Sequence, residues 1–133
     1  MSEPKVFISY AHSDQEWARQ FADALGQAGF KVGIEFDLSR GDIGQDAMEE
    51  SLRDSDFIVV LVRPDSLDRP KLYFEIGAAL GMKKTIIPIV PEDFESSKIP
   101  LVLRRKRLLT RRSPSQSAEE FASTIAVMTG EAA

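Results

Sequence analysis

Cysteine is absent from the 133 residues, which excludes a disulfide framework, a thiolate metal site and a cysteine nucleophile. A single histidine, His12, leaves no second imidazole for any site that needs two. Long apolar runs are missing too: the longest, Phe57 to Val62, has the length of a strand and falls far short of the roughly 20 residues that span a bilayer. The N-terminus has no signal-peptide pattern, so a cytoplasmic location with no membrane partner is expected. Positive charge is not in excess, since 17 Lys and Arg stand against 21 Asp and Glu. The net charge of -4 argues against a general affinity for nucleic acid or acidic lipid. Several familiar catalytic signatures are also lacking. No G-x-G-x-x-G follows the first apolar run, no P-loop or G-x-S-x-G elbow occurs, and the first run does not end in the paired acids of a magnesium-dependent phosphoacceptor.

What is present reads as one α/β domain over residues 1–133, with 43% hydrophobic residues and room for one core. "KVFISY" and "FIVVLV" are short, rich in β-branched and aromatic residues and apolar almost throughout, as strands buried on both faces of a parallel sheet are. Between them, Ser13 and Glu16 have capping-box spacing, Trp17, Phe21 and Leu25 follow at helical intervals, and Gly29 supplies a stop. "KVGIEF" predicts a second strand, and "LSRGDIGQD" a loop. Asp46 and Glu49 offer a cap for a helix carrying Ala47, Met48 and Leu52. "PKLYFEIGAAL" predicts a helix with Pro70 in its first turn, and "TIIPIV" a strand with Pro88 at its end. A last strand near "KRLL" and a helix from Ser117, capped with Glu120 and burying Phe121, Ile125 and Met128, complete the chain. Five strands alternating with helices imply a doubly wound, five-stranded parallel sheet with helices on both faces.

Ligands of such sheets bind beyond the carboxyl ends of the strands, which directs attention to "AHSD", "LSRGDIGQ" and "RPDSLDR". Helical projection at about 100° per residue puts Leu72, Ile76, Ala79 and Leu80 on a packed face. The same projection sets Glu75 at the rim of that face and points Phe74 towards solvent. Spacing leaves two readings of Glu75 open: a surface acid paired with Lys71, or a cleft acid with a chemical role. The basic stretch Arg104 to Arg112 has no interleaved aromatics for base stacking. It reads as the protected edge of a sheet or an assembly contact rather than a nucleic-acid site.

The blocks "VFISYAHSDQEWARQFADALGQAGFKV", "SDFIVVLV" and "FEIGAAL" before "IIPI" resemble, in kind and order, the Toll/interleukin-1 receptor (TIR) domain family of bacterial type. The resemblance covers nearly the whole chain. It implies a flavodoxin-like sheet with a flexible loop after the second strand, Leu38 to Gln45. Some members are scaffolds that act by self-association; others cleave NAD at the nicotinamide-ribosyl bond with a glutamate that matches Glu75. NAD is then a substrate, and no cofactor or metal is expected. Substrate contacts are implied at Ser9, Tyr10 and His12 after the first strand, at Arg40, Asp42 and Ile43 in the loop, and at Lys71. Lys71 stands where catalytic members often carry tryptophan, Gly33 where the second strand often carries an aromatic, and Ala11 and His12 where arginines are frequent. A subunit contact is expected at Phe74 with Ile43, and a sensor domain or partner protein as trigger. A role in bacterial antiphage defence or cell-death signalling follows from the resemblance alone. "FEIGAALGMKKTIIPI" also resembles nucleoside deoxyribosyltransferases, whose glutamate attacks the same sugar carbon.

Overall fold

The computed structural model describes residues 4–32, 36–37, 45–63, 70–104 and 106–130, without the side chains of 36–37, 45–48, 70–71 and 96. Its strands are β1 (Lys5–Tyr10), β2 (Lys31–Val32), β3 (Phe36–Asp37), β4 (Phe57–Leu61), β5 (Thr85–Val90) and β6 (Leu109–Thr110). All pairings are parallel, in the order β2-β1-β4-β5-β6, with β3 also on β1. β2 and β3 share one position beside β1. Lys31 and Val32 pair with Lys5 and Val6, Phe36 and Asp37 with Ser9 and Tyr10, and the register advances by one residue between the two pairs. Five strand positions result, as the sequence predicts.

Alternation along each strand sends side chains to opposite layers. Val6, Ile8, Tyr10, Phe57, Val59, Leu61, Ile87 and Ile89 pack against Ala18, Phe21 and Leu25 of α1 (Gln15–Gln27) and Ala118, Phe121 and Ile125 of α5 (Pro114–Thr129). Phe121 is the hub of that layer, edge-on to Phe21, Phe30 and Phe57 at centroid distances of 6.4, 5.3 and 6.0 Å. Phe7, Ile58, Val60, Val62, Ile86 and Val90 face the other way. They meet Leu52 of α2 (Gln45–Asp54), Leu72, Ile76 and Ala79 of α3 (Pro70–Gly81), and Leu103 of α4 (Leu101–Arg104). β1, β4 and β5 are buried on both faces, which is why their sequences are apolar without alternation.

Several local expectations are corrected. The Ser13–Glu16 capping box does not form: a 3-10 turn, His12–Asp14, precedes α1, and Asp14 stands at the N-cap without a side-chain cap. Gly29 does end α1, at φ 96°, with Phe30 N–H donating to the Leu25 carbonyl (3.0 Å) and Gly29 N–H to that of Gly26 (3.2 Å). α5 starts before Ser117. Ser113 caps it by accepting from Gln116 N–H at 3.2 Å, Pro114 opens it, and the Ser117 hydroxyl accepts from Arg112 N–H at 3.0 Å. Pro88 lies inside β5, opposite Val60. Because the Val90 carbonyl accepts from Arg111 N–H, Val90 and Pro88 both turn their backbone groups towards β6. β6 begins only opposite Ile89, so the missing N–H of Pro88 interrupts no ladder. The last strand is Leu109–Thr110, at the end of "KRLL" and beyond it. The loop residues Arg40, Asp42 and Ile43 lie outside the described residues, as do the side chains of Asp46 and Lys71.

Candidate active site

β1 and β4 are neighbours whose onward connections leave for opposite layers, to α1 from β1 and to α3 from β4. The crevice between those connections is the place where a doubly wound sheet binds ligands. Two buried polar side chains, one on β1 and one on α3, lie on the α3 side of the sheet. Ser9, one residue before the end of β1, pairs with Val60 and shares the pleat of Phe7, so its side chain faces α2 and α3. It is 0% exposed, and its hydroxyl has no hydrogen-bond partner among the described residues.

Glu75 is the second, and its position departs from the rim expected of it. Leu72, Glu75, Ile76 and Ala79 are all buried, Glu75 at 1% exposure, whereas Leu80 is exposed. At about 100° per residue, this buried arc is rotated by about 40° from the expected one, towards Glu75 and away from Leu80. α3 leans against α2 as well as the sheet. A surface acid paired with Lys71 would be exposed, so that reading of Glu75 does not fit its burial. Withdrawing a carboxylate from water costs several kcal/mol unless the site compensates, and acids buried in this way are concentrated where chemistry uses them.

Of the other candidates, Tyr10 is buried in the opposite, α1/α5 layer and so is not brought beside Glu75, because the pleat that sends Ser9 one way sends Tyr10 the other. His12 is exposed in the turn after β1. Phe74 points outward as expected, at 36% exposure beside Tyr73 at 43%.

A cluster that sequence reasoning missed lies at the same sheet edge. Asp14, 2% exposed, receives Arg63 Nη1 at 3.1 Å and Arg111 Nη1 at 2.8 Å, both on Oδ1. Arg111 also lies over the Trp17 ring at 4.8 Å, and Trp17 Nε1 donates to the Arg112 carbonyl at 3.0 Å. Asp14 gives up its capping role, typically worth about 1 kcal/mol, to meet these arginines. The signal was an arginine directly after the apolar run "FIVVLV" and another directly after "KRLLT". Arg112 pairs with Glu120 at 2.6 Å, and Arg104 donates to the Ser97 and Ile99 carbonyls. The basic stretch is thus divided among separate structural contacts. Among the described residues, no group of three acidic or imidazole side chains is placed to hold a metal ion, and no helix is long and apolar enough to cross a membrane.

The family model described as a TIR domain matches residues 6–125. This chain belongs to the TIR domain family. The TIR domain of the Toll-related receptor TRR-2 from Hydra magnipapillata is similar in structure, with TM-score 0.63 and 21% identity, covering 93% of this chain and 95% of that one. A CMP N-glycosidase from Clostridium botulinum, BcmB, is similar at TM-score 0.64 and 15% identity, over 88% of this chain and 97% of that one. A flavodoxin-like domain from Synechococcus sp. aligns at TM-score 0.57 and 18% identity, over 96% and 99% of the two chains. These likenesses establish the flavodoxin-like α/β fold. Among curated proteins, none matches the sequence. In this TIR domain, the connections flanking the switch point supply Asp14 and Arg63, and α3 supplies Glu75.

Proposed function

We propose that this TIR domain cleaves the bond between nicotinamide and ribose in NAD, with Glu75 as the catalytic carboxylate. The observation that carries the reading is the burial of Glu75 in the apolar face of α3, on the same side of the sheet as Ser9. Ordinary glycoside hydrolysis needs a second carboxyl group to protonate a poor leaving group. Nicotinamide needs no such help: the C1′–N bond breaks with its electron pair going to the ring nitrogen, and a neutral pyridine departs. The cationic charge then lies on the ribose, where one carboxylate in a dry cleft stabilises it. Water adds to C1′ and gives its proton to the carboxylate, leaving ADP-ribose; attack by a group of the same molecule in place of water gives a cyclic product. We place this activity in self-associated protein, because the exposed Tyr73 and Phe74 lie on the helix that carries Glu75. A sensor or partner would trigger that assembly, in a defence or cell-death setting.

A second reading, removal of a base from a nucleoside or nucleotide, is favoured by the structural likeness to the CMP N-glycosidase. Concentrated protein incubated separately with NAD and with CMP decides between them by chromatography. The expected product is nicotinamide from NAD; cytosine from CMP alone would select the second reading. Release of neither base by assembled protein would leave a TIR scaffold without turnover.

A further inference from the structure

Glycine inside a helix costs stability relative to alanine, and neither glycine of α3 finds a reason for itself within the domain. The positive φ values of the described glycines belong to Gly29 and Gly130, and the left-handed residue after α3 is Lys83, at φ 59°. A Cβ on Gly77 or Gly81 would meet no atom of a neighbouring element within 4 Å, so no internal contact demands its absence. Both glycines face solvent, in company with Tyr73, Phe74 and Leu80. Of the helices α1 to α5, α3 alone exposes no charged side chain among its described residues. α1 exposes Glu16 and Arg19, α2 Glu50 and Arg53, α4 Arg104 and α5 Glu119.

The outer face of α3 is centred on Gly77. At about 100° per residue, Tyr73 and Leu80 fall on one side of it, at about −40° and −60°, and Phe74 and Gly81 on the other, at about 60° and 40°. At 1.5 Å per residue, each pair stands about 4.5 and 6 Å from Gly77 in opposite directions along the axis. A two-fold axis that lays a second α3 antiparallel on the first preserves the sides and reverses the heights. Tyr73 then meets Leu80 of the partner subunit, Phe74 meets Gly81 of the partner subunit, and Gly77 faces Gly77 of the partner subunit. Each ring lies against an aliphatic side chain or a bare backbone, and the two helices approach closely where neither has a side chain. A parallel pair would instead set Tyr73 against Phe74 and gather Lys83 from both copies at one end.

We propose that α3 pairs antiparallel with α3 of a second copy, the helices crossing at Gly77. A second copy is the fitting occupant because the face is uncharged and matches itself in size under that axis, as an isologous contact requires. A 12-residue helix falls short of the roughly 800 Å² per partner that a stable complex buries, so the pair forms at high local concentration. The proposal rests on the reading that self-associated protein is the active form, and adds which surfaces meet. Glu75 lies on the buried side of the same helix, so pairing bears on the element that positions it. The competing view is that solvent merely tolerates the glycines; it predicts that a side chain there changes helix stability and nothing else.

Sedimentation velocity on the whole protein at rising concentration, with thermal unfolding of dilute protein, separates the two. Wild type associates reversibly. Gly77→Ala raises the unfolding midpoint of dilute protein, since alanine is the better helix former. The same variant weakens association by about tenfold, the scale of one central contact. Gly77→Leu abolishes it. Because the chain has no cysteine, single-cysteine variants read the direction of pairing: Tyr73→Cys mixed with Leu80→Cys cross-links to mixed dimers in preference to either homodimer. Wild type that stays monomeric throughout, Gly77→Leu that associates like wild type, or cross-linking confined to homodimers overturns the pair. Association that depends on Gly77 in a protein releasing no nicotinamide keeps the pair and removes the NAD-cleaving reading. Nicotinamide release by protein that associates independently of Gly77 does the reverse.

Discussion

Ser9 and Glu75 hold their places for different physical reasons, and substitution separates them. The Ser9 hydroxyl is fully buried without a partner among the described residues, so it costs stability as it stands. Ser9→Ala removes that cost at nearly constant shape, and the midpoint of thermal unfolding should hold or rise. If the hydroxyl serves a ligand in the crevice, kcat/KM for NAD should fall by about tenfold in the same variant. A lowered midpoint with unchanged kinetics would show that Ser9 is structural. The burial of Glu75 was not legible in the sequence, because a projection centred on Leu72, Ile76, Ala79 and Leu80 weights hydrophobicity and cannot see how α3 is rotated in its packing. Phe74 was legible, since it lies opposite that face in either orientation of the arc.

At the scale of elements, apolar content and glycine spoke clearly and polar side chains did not. β1, β4 and β5 could be read from runs of β-branched and aromatic residues, and the end of α1 from Gly29, whose positive φ a residue with Cβ adopts only under strain. The starts of α1 and α5 were misread because Ser, Asp and Glu have several uses. Asp14 serves two arginines instead of capping, Ser117 accepts from Arg112, and the cap falls to Ser113. Pro88 was placed by a rule that holds for ladders occupied on both sides, and β6 is too short to occupy that one. The α1/α5 layer offers the sharpest test of how elements depend on each other. Phe121 touches three aromatic rings from α1, the approach to β2, and β4. Phe121→Ala should therefore lower unfolding free energy by about 3–5 kcal/mol in urea titration. A loss below 1 kcal/mol would mean that the layer collapses around the gap and is not the close-packed core described.

For the whole molecule, the sheet order brings Asp14, Arg63 and Arg111 together although they are distant in sequence, Ser9 and Glu75 are both buried on the α3 side of the sheet, and an outward aromatic pair lies on the helix of the proposed catalytic acid. If α3 takes part in a subunit contact, Phe74→Ser should leave the monomer folded while lowering self-association and nicotinamide release together. A monomer destabilised by more than about 2 kcal/mol would instead make Phe74 part of the core. The central claim concerns Glu75, and the most direct measurement is nicotinamide release from NAD by wild type and Glu75→Gln at equal concentration and equal degree of assembly. Gln keeps the size and much of the hydrogen bonding but not the charge. The account predicts a folded variant whose rate is lower by a factor of about 100 to 1000 or more. A Gln variant that turns over NAD at the wild-type rate would contradict it.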